Sequence, residues 1–180
     1  MRVLGLDPGS RRTGFGLVEK IGNRLRCVAH GTVAPGARLG LPQRLHDIAA
    51  RIGEVMESGR PDTVVVEEAF YHESARSTLV LGHVRGALLV AAVQRGLAVA
   101  EYSPREIKLS VAGSGAAAKE QVAFMVRRLL DLRGAVPADA SDALAAALCH
   151  LHRARLSAPA RAASAAAQRL EALLAGRGAR

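Results

Sequence analysis

Four carboxylates stand where apolar segments stop or start. Asp7 closes the strand-like run Val3-Leu4-Gly5-Leu6, Glu67 closes Thr63-Val64-Val65-Val66, and Asp139 and Asp142 sit at the opening of the last apolar helical segment. Strand ends and helix starts meet at the edge of an α/β sheet, so acids from these distant positions can converge there on a divalent metal, an arrangement suited to phosphodiester chemistry. Two unit charges about 4 Å apart near a protein surface repel by roughly 4 kcal/mol at an effective dielectric of about 20, so clustered acids need a cation. The hard, oxygen-seeking choice is Mg²⁺ or Mn²⁺, held by carboxylates and by substrate phosphate oxygens rather than by a complete protein cage. Taken singly, each acid also has a plainer reading: Asp7-Pro8-Gly9 as a turn, Glu67 as a solvated strand end, Asp139 as a helix cap favoured by the macrodipole.

The pattern around these acids alternates strand and helix. Arg2 to Leu6, Gly14 to Lys20 and Leu25 to Val33 read as three strands of an antiparallel meander, divided by Pro8-Gly9-Ser10 and the Gly22-Asn23 turn. From Leu41 to Met56 the period changes, with Leu45, Ile48, Ala49, Ile52, Val55 and Met56 on one helical face. Gly59-Arg60-Pro61-Asp62 stops that helix, and Thr63 to Val66 reads as a buried strand. A second helix from about Ser74 to Gln94 and a strand from Leu97 to Tyr102 make a β-α-β crossover. Ser103-Pro104-Arg105-Glu106 has capping-box spacing with proline first in the helix, predicting a short helix through Lys108 that Gly113-Ser114-Gly115 interrupts. Helices are predicted from about Ala117 to Leu132 and from Ala138 to Ala154, the latter with an apolar stripe of Ala140, Leu144, Ala147, Leu148 and Leu151. Asp139 and Asp142 project from its first turn, where the helix dipole eases their repulsion.

A length of 180 residues with 49% hydrophobic content suits one globular domain with a real core. The formal charge of +9 implies an anionic partner, of which nucleic acid is the commonest large one and an anionic membrane surface the alternative. The longest apolar run, Ala87 to Val93, is flanked by Arg85 and Arg95 and falls well short of the roughly 20 residues of a span, so no membrane association is expected. Asp7 interrupts any signal-peptide core, which points to a cytoplasmic protein. Cys27 and Cys149 have neither metal-ligand spacing nor the density of a disulfide scaffold and read as buried, reduced thiols. Beyond Leu156 the composition turns to alanine and arginine, so residues 1–155 are taken as the folded domain and 156–180 as a basic tail.

The strings Leu6-Asp7-Pro8-Gly9-Ser10 with Thr13-Gly14, Val66-Glu67 with Phe70, Leu81-Gly82 with Arg85-Gly86, and Ala138-Asp139-Ala140-Ser141-Asp142-Ala143-Leu144 occur in the order and spacing of one family. From about Arg2 to His152 the chain resembles the RuvC family of Holliday-junction resolvases. The resemblance implies an α/β, ribonuclease H-like fold with a mixed five-stranded sheet flanked by helices. It also implies a crossover junction endodeoxyribonuclease that binds a four-way DNA junction as a homodimer and makes paired, symmetric nicks. Asp7, Glu67, Asp139 and Asp142 would be catalytic metal ligands for Mg²⁺ or Mn²⁺, two per active site, one ion lowering the pKa of the attacking water and the other stabilising the leaving 3′ oxygen. A branch-migration complex of the RuvA and RuvB type is the implied partner.

Phe70 and Tyr71 follow Glu67 in a chain with only three other aromatic residues. A ring there is able to stack on a base unpaired at the crossover, worth about 1–3 kcal/mol, and the family places an aromatic wedge at the Phe70 position; closing the core at a strand end is the other reading. Arg76, Lys108 and Lys119 sit on helix starts or loops expected to border the cleft. Family comparison gives the two lysines phosphate contacts, against a plain reading as solvated helix faces. Gly82 and Gly86, one turn apart, permit close helix contact in a dimer or in the core. The competing functions are a non-catalytic junction binder and another ribonuclease H-like nuclease acting on RNA; the first has no need of four metal-ready acids, and the Glu67 to Phe70 string with the Asp139/Asp142 pair argues against the second.

Overall fold

A computed structural model of the chain describes residues 1–68 and 74–154. The elements run β1 (Arg2–Asp7), β2 (Thr13–Ile21), β3 (Arg24–Val33), α1 (Leu41–Gly59), β4 (Thr63–Glu67), α2 (Ala75–Gln94), β5 (Ala98–Tyr102), α3 (Pro104–Ala112), α4 (Lys119–Leu129) and α5 (Ala138–Arg153). The strands form one mixed sheet in the order β3-β2-β1-β4-β5. β1, β2 and β3 pair antiparallel as the predicted meander, whereas β4 lies parallel to β1 and β5 parallel to β4. Parallel neighbours need a crossover, and α1 and α2 supply both.

Side chains alternate between the two sheet faces, and each face has its own core. Leu4, Leu6, Leu17, Val64 and Val66 pack against Ile48, Ile52 and Met56 of α1 and Val84 and Leu88 of α2. Val3, Val18 and Val65 face the other way, onto Leu144, Ala147, Leu148 and Leu151 of α5, with α3 and α4 outside them. The sheet therefore carries α1 and α2 on one side and α5, backed by α3 and α4, on the other.

Several element ends follow the local chemistry closely. Arg60 adopts a left-handed conformation (φ 46°) to stop α1. Ser103 and Glu106 form the expected capping box at the start of α3. That helix continues past Lys108 to Ala112, because the residue that ends it is Gly113 at φ 75°. The predicted apolar stripe on α5 is too narrow a description: Ala143, Ala145, Ala146 and Cys149 are also buried, since α5 is sandwiched between the sheet and two helices. By length and composition α2 would suffice to cross a bilayer, with a mean hydropathy of 1.3. Its Val84, Leu88 and Ala92 are nonetheless fully buried in the core, and Arg85 at its middle pairs with Glu101.

Candidate active site

The strand alternation aims two acids at α5. Val3 and Val65 lie on the α5 face, so Asp7, four residues after Val3, and Glu67, two after Val65, point to that same face. The parallel register pairs Leu6 with Val66, which sets the two acids side by side at the ends of adjacent strands. Asp139 and Asp142 come from the start of α5, directly over this edge.

The approach of α5 depends on glycine. A Cβ on Gly5 would lie 1.9 Å from the carbonyl oxygen of Ala143, and one on Gly14 would lie 2.0 Å from that of Asp139. Both distances are far inside van der Waals contact, so any larger residue would force the helix off the sheet. Gly14 thus fixes the height of Asp139 above β1 and β2. The loop after Asp7 is tied down by Thr13, a fully buried residue whose hydroxyl donates to Gly9 O at 2.9 Å while accepting from Gly9 N at 3.4 Å.

The consequence is an unusually charged, partly desolvated edge. Burial, followed by the charges of Asp142, Glu67 and Asp139, pushes the Asp7 carboxyl from an ordinary 3.8 up to about 7, with Lys119 pulling slightly the other way. Glu67 is likewise raised, first by burial and then by Asp142, against the pull of Lys119 and Lys108. Lys119, the first residue of α4, places Nζ 2.6 Å from Asp142 Oδ2. That contact is the leading cause of the rise in the lysine's own pKa.

An open cleft of about 200 Å³ runs beside these groups, lined by Glu67 and Asp142, by Lys108 and Lys119, and by the apolar walls of Ile107 and Val122. Lys108 reaches it because the Ser103–Glu106 cap anchors α3: Ser103 Oγ donates to Glu106 Oε2 at 2.9 Å and accepts from Glu106 N at 3.3 Å. Of the basic residues expected at the cleft, the two lysines line it and Arg76 does not; Arg76 is exposed on the first turn of α2. Phe70, Tyr71 and the tail lie outside the described residues.

The donor set is oxygen only, which suits a hard divalent cation and no soft one. The other three acids are near enough to perturb Asp7 electrostatically, yet among the described residues no three acidic, histidine or cysteine side chains stand in metal-holding positions. Sequence reasoning quoted Thr13-Gly14 as a motif string and Gly5 as part of a strand without giving them a role: Gly5 and Gly14 lie beneath α5 and Thr13 under the Asp7 loop, and the ion pair between Lys119 and Asp142 was missed altogether. A glycine inside an otherwise apolar strand was the available signal for the first of these.

Residues 3–150 match the family model described as Crossover junction endodeoxyribonuclease RuvC. The chain is 50% identical over 168 residues to the crossover junction endodeoxyribonuclease RuvC of Halorhodospira halophila, covering 93% of this chain and 99% of that one. Among solved structures, the Thermus thermophilus RuvC structure aligns with a TM-score of 0.79, and T. thermophilus RuvC in complex with Holliday junction substrate with 0.82. Each is 39% identical and covers 87% of this chain and 96% of its own.

Proposed function

This chain belongs to the RuvC family of crossover junction endodeoxyribonucleases, and from that premise we propose that Asp7, Glu67, Asp139 and Asp142 are the carboxylates with which it cuts. It is a Holliday-junction resolvase, a metal-dependent endonuclease acting on four-way DNA. The observation that carries the site assignment is geometric: Asp7 and Glu67 end adjacent parallel strands and the start of α5 lies over them, close enough that burial and the three other acids push the Asp7 carboxyl up to about 7. Such a group is a poor acid by itself and a good ligand once a cation compensates it.

The four acids would hold Mg²⁺ or Mn²⁺, two ions per site. When bound, these supply a water of lowered pKa and a Lewis acid for the leaving oxygen. The chain's own residues do the rest. Lys108 and Lys119 flank the cleft and would take scissile-strand phosphates as point charges. Ile107 and Val122 wall it with apolar surface, which lowers the local dielectric on that side of the charges. Phe70, three residues after Glu67, would stack on a base freed at the crossover, with Tyr71 beside it, and Arg76 would contact an arm outside the cleft.

Paired nicks in two strands need two sites, and we assign the homodimer contact to α2. Leu79, Val90 and Val93 are 65%, 56% and 65% exposed, and a Cβ on Gly82 or Gly86 would meet nothing within 4 Å. Exposed apolar residues spaced along one helix, with two glycines that let a second backbone approach, fit a self-complementary interface. A RuvA- and RuvB-type branch-migration complex would be the further partner.

The test is cleavage of a labelled synthetic four-way junction beside linear duplex and single strands, with Mg²⁺, Mn²⁺ or chelator. Symmetric, metal-dependent nicks confined to the junction and lost in Asp7→Asn are expected. Tight junction binding without nicking under any metal would make the protein a binding module instead, and cleavage of RNA would move it to another nuclease branch of the fold.

A further inference from the structure

Lys119 stands in a locally unfavourable place. As the first residue of α4 it puts a cation at the positive end of the helix dipole, which favours acids there and disfavours lysine. The side chain leaves that end and reaches α5, where its ammonium meets Asp142 Oδ2 at 2.6 Å. The neighbouring acids of the cluster favour a cation at the same point. Lys119 is therefore held where the acids want positive charge.

The contact engages one of the four acids directly. One oxygen of Asp142 is directed to an ammonium, so the carboxylate is engaged before any ion arrives. The lysine side chain is 61% exposed whereas Asp142 is 23% exposed, so the ammonium has solvent and an open cleft to move into and the carboxylate does not. Four flexible methylenes make that movement easy for lysine.

We propose that Lys119 is a built-in stand-in for the metal at Asp142: its ammonium offsets the charge of that carboxylate and must release Asp142 before a divalent ion takes it. This rests on the assignment of Asp142 as a metal ligand. Once released, the ammonium lies free in the cleft beside Lys108, positioned for a junction phosphate. Lys119 would then act as a positioning residue toward the metal and as a phosphate contact toward DNA, in sequence.

The experiment titrates Mn²⁺ alone, without DNA, into wild type, Lys119→Met, Asp142→Asn and the double variant, by calorimetry. Removing the competing ammonium is expected to tighten Mn²⁺ binding by roughly two- to fivefold, the size of one partly exposed ion pair. In the Asp142→Asn background, where the ammonium loses its direct carboxylate partner and keeps only the more distant charges of Asp7 and Asp139, the same substitution should tighten binding clearly less. Lys119→Arg, which keeps the charge, should bind as wild type does. Metal-free Lys119→Met should melt below wild type and gain more from Mn²⁺. If Lys119→Met binds Mn²⁺ no more tightly while Asp142→Asn weakens binding, the stand-in role is wrong and the metal-ligand assignment survives. If Asp142→Asn binds as wild type does, both fall.

Discussion

Replacing Asp7 by asparagine should stabilise the metal-free protein while destroying its activity. The carboxyl is raised from 3.8 to about 7, so the folded state keeps a proton that the unfolded chain releases. For an acid shifted this way, the contribution to stability is fully present below pH 3.8 and is lost as pH rises through about 7. A displacement of about three on the pH scale, at about 1.36 kcal/mol for each, gives a penalty of roughly 4 kcal/mol at pH 8. Near pH 5 it is still only about 2 kcal/mol, because Asp7 remains mostly protonated when folded. Asparagine has nearly the same shape and no charge, so the variant escapes the penalty altogether. Urea denaturation followed by circular dichroism in chelator should therefore show Asp7→Asn gaining about 2 kcal/mol on wild type between pH 5 and pH 8. Adding Mg²⁺ or Mn²⁺ at pH 8 should narrow the gap, since the ion compensates the ionised aspartate and has less to bind in the variant. Parallel stability profiles for the two proteins from pH 5 to pH 8 would refute the reasoning, because Asp7 would then titrate as an ordinary surface acid.

Other substitutions test the scaffold. Gly14→Ala should cost about 1–3 kcal/mol by overpacking, measurable by denaturation, and should cut cleavage far more than junction affinity because it displaces Asp139. Ser103→Ala removes the cap of α3 and should cost about 1 kcal/mol. It should also weaken junction binding through Lys108, read by fluorescence anisotropy. Leu79→Glu with Val93→Glu puts charges on the exposed face of α2 and should leave a folded monomer in sedimentation velocity, with single nicks replacing paired ones; an unchanged dimer would move the interface elsewhere.

Much of this architecture was legible because it is written in short-range periods. The alternation of β1 and β4 put Asp7 and Glu67 on one face, and the three-residue spacing of Asp139 and Asp142 put them on one helix start. What periodicity does not carry is the distance between elements. That was set by Gly5 and Gly14, whose missing side chains let α5 settle on the sheet, and by the alanines of α5, which let it be buried on both sides where a single stripe had been expected. Arg76 shows the opposite limit: its place at a helix start suggested the cleft, but α2 packs on the sheet face away from α5. Lys119 is the most instructive case. A lysine opening a helix breaks a local electrostatic preference, and the partner that compensates it, Asp142, lies on a different helix. Local rules that fail without a local remedy mark places where tertiary structure, or function, supplies the missing term. In this chain that place is the acid edge, where one lysine engages Asp142 and, on the reading proposed above, stands in for the ion that carboxylate would hold.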